Sequence, residues 1–281
     1  MLVDDVVAAL NAREWPEYVV ERLGPRIGDA VAPYLVPVVG ASLPPEPDDE
    51  DDSRDAADST PLGASKVGGL PHVDSDFVWP TEEDEPDEPL ALVCQINLAD
   101  AAAAAPGQLP ETGLLYLFCI YDSDRAYGYE IDDNTAKVIY VPNPGPLSVA
   151  PAPAGLNVED GVFAERTLSF GPSLCLEEQD EEGHYVTVRF DYAVEKAIDE
   201  ELRARGGADC RNLQMLGRVH PFRSETSEMF DEETAELLLY VNGYTTARYA
   251  FGEGEFLVVI DRDQLAAGRL DAADVLFEPG T

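Results

Sequence analysis

Lysine is almost absent from this 281-residue chain: Lys66, Lys137 and Lys196 stand against 15 arginines and 56 acidic residues. The resulting formal net charge of −38 gives the wrong sign to the counterion release that drives nucleic-acid binding, and it repels anionic lipid heads. Nucleic-acid and membrane-surface roles are therefore disfavoured. Long apolar runs are missing as well. None approaches the roughly 18 residues that a bilayer span needs, and Met1-Leu2-Val3-Asp4-Asp5 lacks a basic leader region. The four cysteines, Cys94, Cys119, Cys175 and Cys210, are scattered, with no CxxC and no metal-type spacing. Cys94 and Cys119 sit in apolar runs, where a thiol behaves as a small hydrophobe. The expectation is a soluble, cytoplasmic protein with reduced thiols.

Catalytic signatures are also missing. There is no GxSxG elbow, no GxGxxG after a strand, no HExxH helix and no GxxxxGK[ST] loop. The reading leans away from an enzyme and expects no cofactor.

What the chain has in abundance is acid. Three runs, Glu46 to Asp58, Glu82 to Glu88 and Glu177 to Glu182, hold 19 of the 56 acids and one base, Arg54, so the remainder is strongly acidic too. Such charge suits solubility in a salty cytoplasm, and it also suits capture of a basic protein partner. Residues 44–59, with three prolines among acids and almost no apolar side chains, cannot offset their ordering entropy and read as a disordered insertion.

Residues 1–43 predict two helices, Val3 to Ala12 and Tyr18 to Val31, from apolar residues near a 3.6 period, with Pro16 suited to a helix start. An edge strand, Tyr34 to Val39, follows, because Pro37 cannot donate to a ladder. Downstream, strands are predicted at Leu90 to Ile96, Leu114 to Ile120, Ala136 to Val141, Tyr185 to Phe190, Glu236 to Val241 and Phe256 to Ile260. Helices are predicted at Asp100 to Ala105 and at Ala193 to Arg205, the latter stopped by Gly206-Gly207. Runs of strands with few helices indicate an α+β fold of mostly antiparallel sheet.

Two stretches share order and spacing. Gly68-Gly69, Leu92 to Asn97 and Gly113 in the first correspond to Gly217, Leu237 to Asn242 and Gly254 in the second, about 145 residues on. This predicts an internal duplication within residues 60–281, with repeat 1 at about 60–145 and repeat 2 at about 206–281.

The series Gly63-Ala64-Ser65-Lys66-Val67-Gly68-Gly69-Leu70-Pro71, Trp79-Pro80, Gln95-Ile96-Asn97, Leu109-Pro110 and Gly113-x-Leu115-x-x-Phe118 closely resembles the signature of the YwqG-like family, a bacterial domain of unknown function. The resemblance implies an internally duplicated α+β fold and no established activity. Tyr240, where the first half has Gln95, departs from the pattern.

The Ser65 to Pro71 turn is the first candidate site. Adjacent glycines free the backbone for positive φ or close approach, so an anion could be held by N–H groups and Lys66, or Lys66 could simply pair with a nearby acid. His72 and His220 each lie three residues beyond a glycine of the repeat and could meet if the halves are related by a pseudo-two-fold axis, but two ligands without a local motif do not make a metal site. Lys66, Gly68, Gly69, His72, Trp79, Gln95 and His220 form the candidate ligand-binding set. The Asp-x-Asp triplets Asp74-Ser75-Asp76, Asp122-Ser123-Asp124 and Asp261-Arg262-Asp263 read as turns and caps, with Asp263 as the expected N-cap of the following helix. Two functions compete: a non-enzymatic module that binds a protein or peptide, one form being an immunity-type protein against a basic toxin, and a small-ligand binder or enzyme centred on the Ser65 to Pro71 turn.

Overall fold

The computed structural model describes residues 2–43, 60–82, 85, 87–121, 135–156, 161–179, 185–208, 210–219, 226, 229–231, 234–243 and 254–278. The expected acidic insertion at 44–59, the Asp122 to Asp124 triplet and His220 lie outside the described residues.

The chain begins with α1 (Leu2–Ala12), α2 (Glu17–Leu23), α3 (Ile27–Val31) and β1 (Leu35–Ser42), then β2 (Lys66–Val67), β3 (His72–Val73), β4 (Ala91–Asn97), α4 (Leu98–Ala104), β5 (Leu114–Cys119) and β6 (Ala136–Val141). It continues through β7 (Ser148–Val149), β8 (Arg166–Thr167), β9 (Ser169–Gln179), β10 (Tyr185–Thr187), α5 (Tyr192–Ala204) and β11 (Leu213–Met215). The last elements are β12 (Ala235–Asn242), β13 (Glu255–Asp261), α6 (Arg262–Ala266) and β14 (Asp274–Glu278). A seven-stranded sheet has the order β10-β9-β1-β11-β12-β13-β14, a five-stranded sheet the order β6-β5-β4-β2-β8, and β3 pairs with β7 alone. The recorded pairings are antiparallel. This is the expected α+β fold. No helix among the described residues is long and apolar enough to cross a membrane.

The two sheets share one core. Leu115, Leu117 and Phe118 of the smaller sheet join Val39, Met215, Leu238, Phe256 and Val258 of the larger in a single buried cluster. Strands β4 and β5 are continuous apolar runs because they are covered on both faces, which removes the polar alternation of a half-exposed strand. A second cluster joins the N-terminal helices to the sheet: Val6, Leu10, Val19 and Ile27 pack with Leu35, Leu174 and with Val194, Ile198 and Leu202 of α5.

Three expectations need correction. The second N-terminal helix is broken, because Gly24 takes φ 84° and ends α2 before Pro25, so α3 starts afresh at Ile27. Strand β1 lies inside the seven-stranded sheet, between β9 and β11, instead of at its edge. Pro37 is tolerated there because the ladder to β11 involves only Val39 and Gly40, so no donor is required of residue 37 on that side. The cap of α6 is Asp261, whose Oδ1 accepts from Asp263 N at 2.8 Å and Gln264 N at 3.4 Å, not Asp263 itself. An internal duplication is not shown: the sheets differ in strand number, and a short helix follows β4 in one but β13 in the other.

Candidate functional site

Strand pairing places the sequence-predicted residues side by side. Lys66 of β2 is opposite Gln95 of β4, and Gln95 is opposite Tyr116 of β5, so one row of the five-stranded sheet carries three polar side chains that are all essentially buried. Each is engaged inside the chain. Lys66 Nζ donates to Glu165 Oε2 and to the Leu70 carbonyl, both at 2.6 Å. Gln95 Oε1 accepts the His72 backbone N–H at 2.7 Å, and its Nε2 donates to the Ala64 carbonyl at 2.8 Å. Tyr116 Oη donates to the His72 carbonyl at 2.7 Å. The row therefore ties residues 64–72 onto the sheet.

His72 is 2% exposed. Its Nδ1 accepts the Gly63 N–H at 3.0 Å, which assigns the ring proton to Nε2 in the neutral form. Burial, and then the charge of Lys66, push its pKa below the ordinary histidine value. Burial likewise lowers Lys66, with Glu165 working the other way. For Glu165 burial acts to raise the pKa, but the Lys66 and Thr60 hydrogen bonds and the Lys66 charge outweigh it and hold the carboxyl below its usual range.

The glycine pair serves this packing. Gly68 and Gly69 have φ of 64° and 68°, and a Cβ on Gly68 would stand 2.4 Å from the Ala164 carbonyl oxygen, one on Gly69 2.2 Å from Glu165 Oε2. Only glycine lets the 163–165 segment lie so close over the turn; Gly69 N donates to the Phe163 carbonyl at 2.8 Å. Trp79 lies in an aromatic group beside this network, its ring centroid 5.7 Å from Phe118 and 6.4 Å from Phe77, with Nε1 donating to the Leu90 carbonyl at 2.9 Å. Lys66, Gly68, Gly69, His72 and Gln95 thus come together, Trp79 sits alongside, and His220 is outside the described residues. Asp74 spends its carboxylate on the backbone N–H groups of Asp76 and Gly145, each at 3.1 Å.

An open cavity of about 660 Å³ lies elsewhere, on the face of the seven-stranded sheet turned away from the inter-sheet core. Register explains its lining. Val36 pairs with Cys175, Val38 with Ser173, Gln214 with Tyr240, and Tyr240 with Leu257, so these side chains share one face. Helix α5 forms a wall with Ile198 and Leu202. That helix starts cleanly because Asp191 Oδ1 accepts the Ala193 N–H at 2.9 Å and Glu195 Oε1 reaches back to Phe190 N at 3.0 Å. It ends where Gly206 takes φ 73° and Gly207 N donates to the Leu202 carbonyl at 2.8 Å.

The cavity is apolar in its walls and charged at selected points. Glu177, only 4% exposed, and Glu255 both line it. Tyr240 Oη donates to Glu255 Oε1 at 2.6 Å. Burial raises the Glu255 pKa, the Tyr240 hydrogen bond opposing and Glu278 adding to the rise; Tyr240 is itself raised, by burial first and then by Glu255. Arginines stand among the lining residues too: Arg211 is 3.6 Å from Asp199, Arg218 3.2 Å from Glu236, and Arg189 4.0 Å from Glu195. Sequence reasoning misses this site. The usable signal was the alternation Ser173, Cys175, Glu177, a period-two polar face, but Gly171 and Pro172 disguise the strand that carries it.

Among the described residues no group of three or more His, Cys, Asp or Glu is placed to hold a metal ion. The molecule is thus a mixed α+β protein of packed antiparallel sheets, with a self-satisfied polar row in one sheet and an open cavity over the other. It belongs to the family described as a domain of unknown function (DUF1963), whose model matches residues 65–275, from the start of the Lys66 turn into β14. No curated protein matches the chain.

Proposed function

We propose that this protein is a non-enzymatic binding module and that the cavity beside α5 takes a basic side chain of a peptide or protein partner. The observation that carries the reading is the pairing of apolar walls with two carboxylates, Glu177 and Glu255, in one cavity of about 660 Å³, a size within the range of known ligand sites. A lysine or arginine matches that arrangement: its methylene stem lies along Leu202 and Leu257 while its cation meets the carboxylates. The net charge of −38 would steer a basic partner toward the molecule and repel nucleic acid and anionic lipid. A basic toxin neutralised by an immunity-type protein is one such partner, and a reducing, cytoplasmic setting fits four cysteines carried as thiols.

A ligand role for Lys66, Gly68, Gly69, His72, Trp79, Gln95 and His220 has less behind it. The polar groups described there already meet partners within the chain. No described histidine other than His72 is available to activate a thiol, and His72 belongs to the five-stranded sheet's network. The YwqG-like name is part of the same proposal, supported by the motif series that opens the matched region.

Selection from a displayed library of short peptides tests the reading. The enriched peptides should carry lysine or arginine next to apolar residues. Their affinity should fall at least about tenfold for Glu255→Gln, a variant that keeps the acceptor for Tyr240 and removes only the charge. Enrichment of peptides without a basic residue, or equal affinity for Glu255→Gln, would sink the proposal.

A further inference from the structure

Cys175 and Cys210 are 35 residues apart in the chain, yet their sulfurs are 3.5 Å apart in the cavity wall. Cys175 is on β9, and its Sγ donates to Gln214 Oε1 at 3.0 Å. Gln214 is fixed in turn by donating to the Leu216 carbonyl at 2.9 Å. Cys210 is on the connection from α5 to β11, and that connection is laid against β9 by the bond from Ala208 N to the Pro172 carbonyl, 3.2 Å. The backbones on both sides are therefore already held together, and the remaining approach of about 1.5 Å to a covalent S–S distance falls to side-chain rotation. Both thiols are half-buried, with a face on an open cavity. The other two cysteines differ in kind. Cys94 and Cys119 are fully buried in the inter-sheet core, where burial pushes Cys94 up to about 12 and Cys119 up as well, so they are poor nucleophiles and unreachable.

We propose that Cys175 and Cys210 are an oxidisable dithiol that a hydroperoxide converts into an intramolecular disulfide across the cavity wall. One thiolate attacks the terminal peroxide oxygen. The O–O bond breaks, giving a sulfenic acid and releasing the other oxygen as water (from hydrogen peroxide) or alcohol. The second thiolate then attacks the sulfenic sulfur, forming the S–S bond and expelling hydroxide, which takes a proton to leave as water. Two thiols and one peroxide thus give one disulfide and two hydroxylic products. Two equivalents of a small thiol reverse the step by exchange and leave as their own disulfide. The linkage joins the end of the α5 wall to the β9 floor and fixes the cavity's width on that side. It stands on the thiol geometry alone, whether or not the cavity holds a peptide.

The test is mass spectrometry of the full chain, reduced, exposed to hydrogen peroxide, then denatured and alkylated. The expected product is monomeric, about 2 Da lighter than the reduced chain before alkylation. It takes alkyl groups at Cys94 and Cys119 only, yields a proteolytic fragment linking Cys175 to Cys210, and recovers all four alkylation sites after treatment with dithiothreitol. Cys175→Ser and Cys210→Ser should each abolish the linked fragment. Four alkylated cysteines after oxidation, oxygen adducts without a linkage, or a bond to a second chain or to Cys94 or Cys119 would overturn the proposal. None of these outcomes depends on peptide binding, so this inference and the proposed function fail separately.

Discussion

Lys66 has its whole side chain shielded from solvent, a placement whose desolvation costs several kcal/mol unless a partner offsets it. Glu165 is that partner at 2.6 Å, and its side chain is itself only 22% exposed, so the pair is worth more than the surface ion pairs around it. Glu165→Gln keeps an acceptor for Nζ but strands the ammonium, and it should destabilise the protein by about 3 kcal/mol at neutral pH. The pH dependence has a definite sign. The folded-state pKa of Glu165 lies below its unfolded value, so its contribution is present above the unfolded carboxylate pKa and is lost as pH falls through the folded one. Urea unfolding of wild type and Glu165→Gln from pH 7 to pH 3 should show the two curves converging on acidification. A gap that stays constant over that range would mean that Glu165 acts through packing and not through charge. Glu255 works in the opposite sense. Its raised pKa means that protonation is favoured by folding, so its contribution is present at low pH and lost as pH rises through the folded value.

Helix α5 is the element on which the cavity depends, since Ile198, Asp199, Leu202 and Arg203 all line it. Its N-terminus is held by Asp191, whose Oδ1 accepts from Ala193 N at 2.9 Å, while its apolar face packs on α1 and β9. Asp191→Ala should lower stability by about 1 kcal/mol in chemical denaturation, and Asp191→Asn, which also caps well, should recover most of that loss. If asparagine is as damaging as alanine, the cap is not the origin of the effect. Strands β4, β5, β6, β12 and β13 and helix α5 are legible because dense apolar runs and glycine stops carry their own signal. Strand β9, the longest of the described strands, is not: Gly171, Pro172 and the acids Glu177 and Glu178 look like a loop, and it is pairing with all eight residues of β1, continued by β10 at Glu177 to Gln179, that makes it a strand. The Lys66 turn is legible as an unusual cluster of residues, but its partners are not, because Glu165 comes from a segment 99 residues away. The approach of Cys175 to Cys210 depends on how α5 returns to the sheet, and no spacing rule encodes that.

At the scale of the whole molecule, charge balance is impossible. With 56 acids and 18 bases, even complete one-to-one pairing would leave 38 carboxylates without a counter-charge, and pairs such as Arg13–Glu200 and Arg262–Glu236 relieve only local repulsion. The folded state therefore carries a long-range electrostatic strain that the expanded unfolded chain partly escapes. Salt should act on this strain and on partner capture in opposite directions. Between about 0.01 M and 0.15 M the screening length falls from about 30 Å to about 8 Å, which removes repulsion between distant carboxylates and leaves contacts such as Lys66–Glu165 largely intact. The melting temperature should climb over this range and then flatten. Over the same range the association rate of a basic peptide should fall, since steering depends on the unscreened field, while its dissociation rate, set by Glu177, Glu255 and the apolar walls, should change little. Thermal melts and stopped-flow binding at matched salt concentrations read both. A melting temperature that keeps rising into molar salt, with no saturable peptide binding at any salt, would make the acidity an adaptation to the solvent and not a device for recognition.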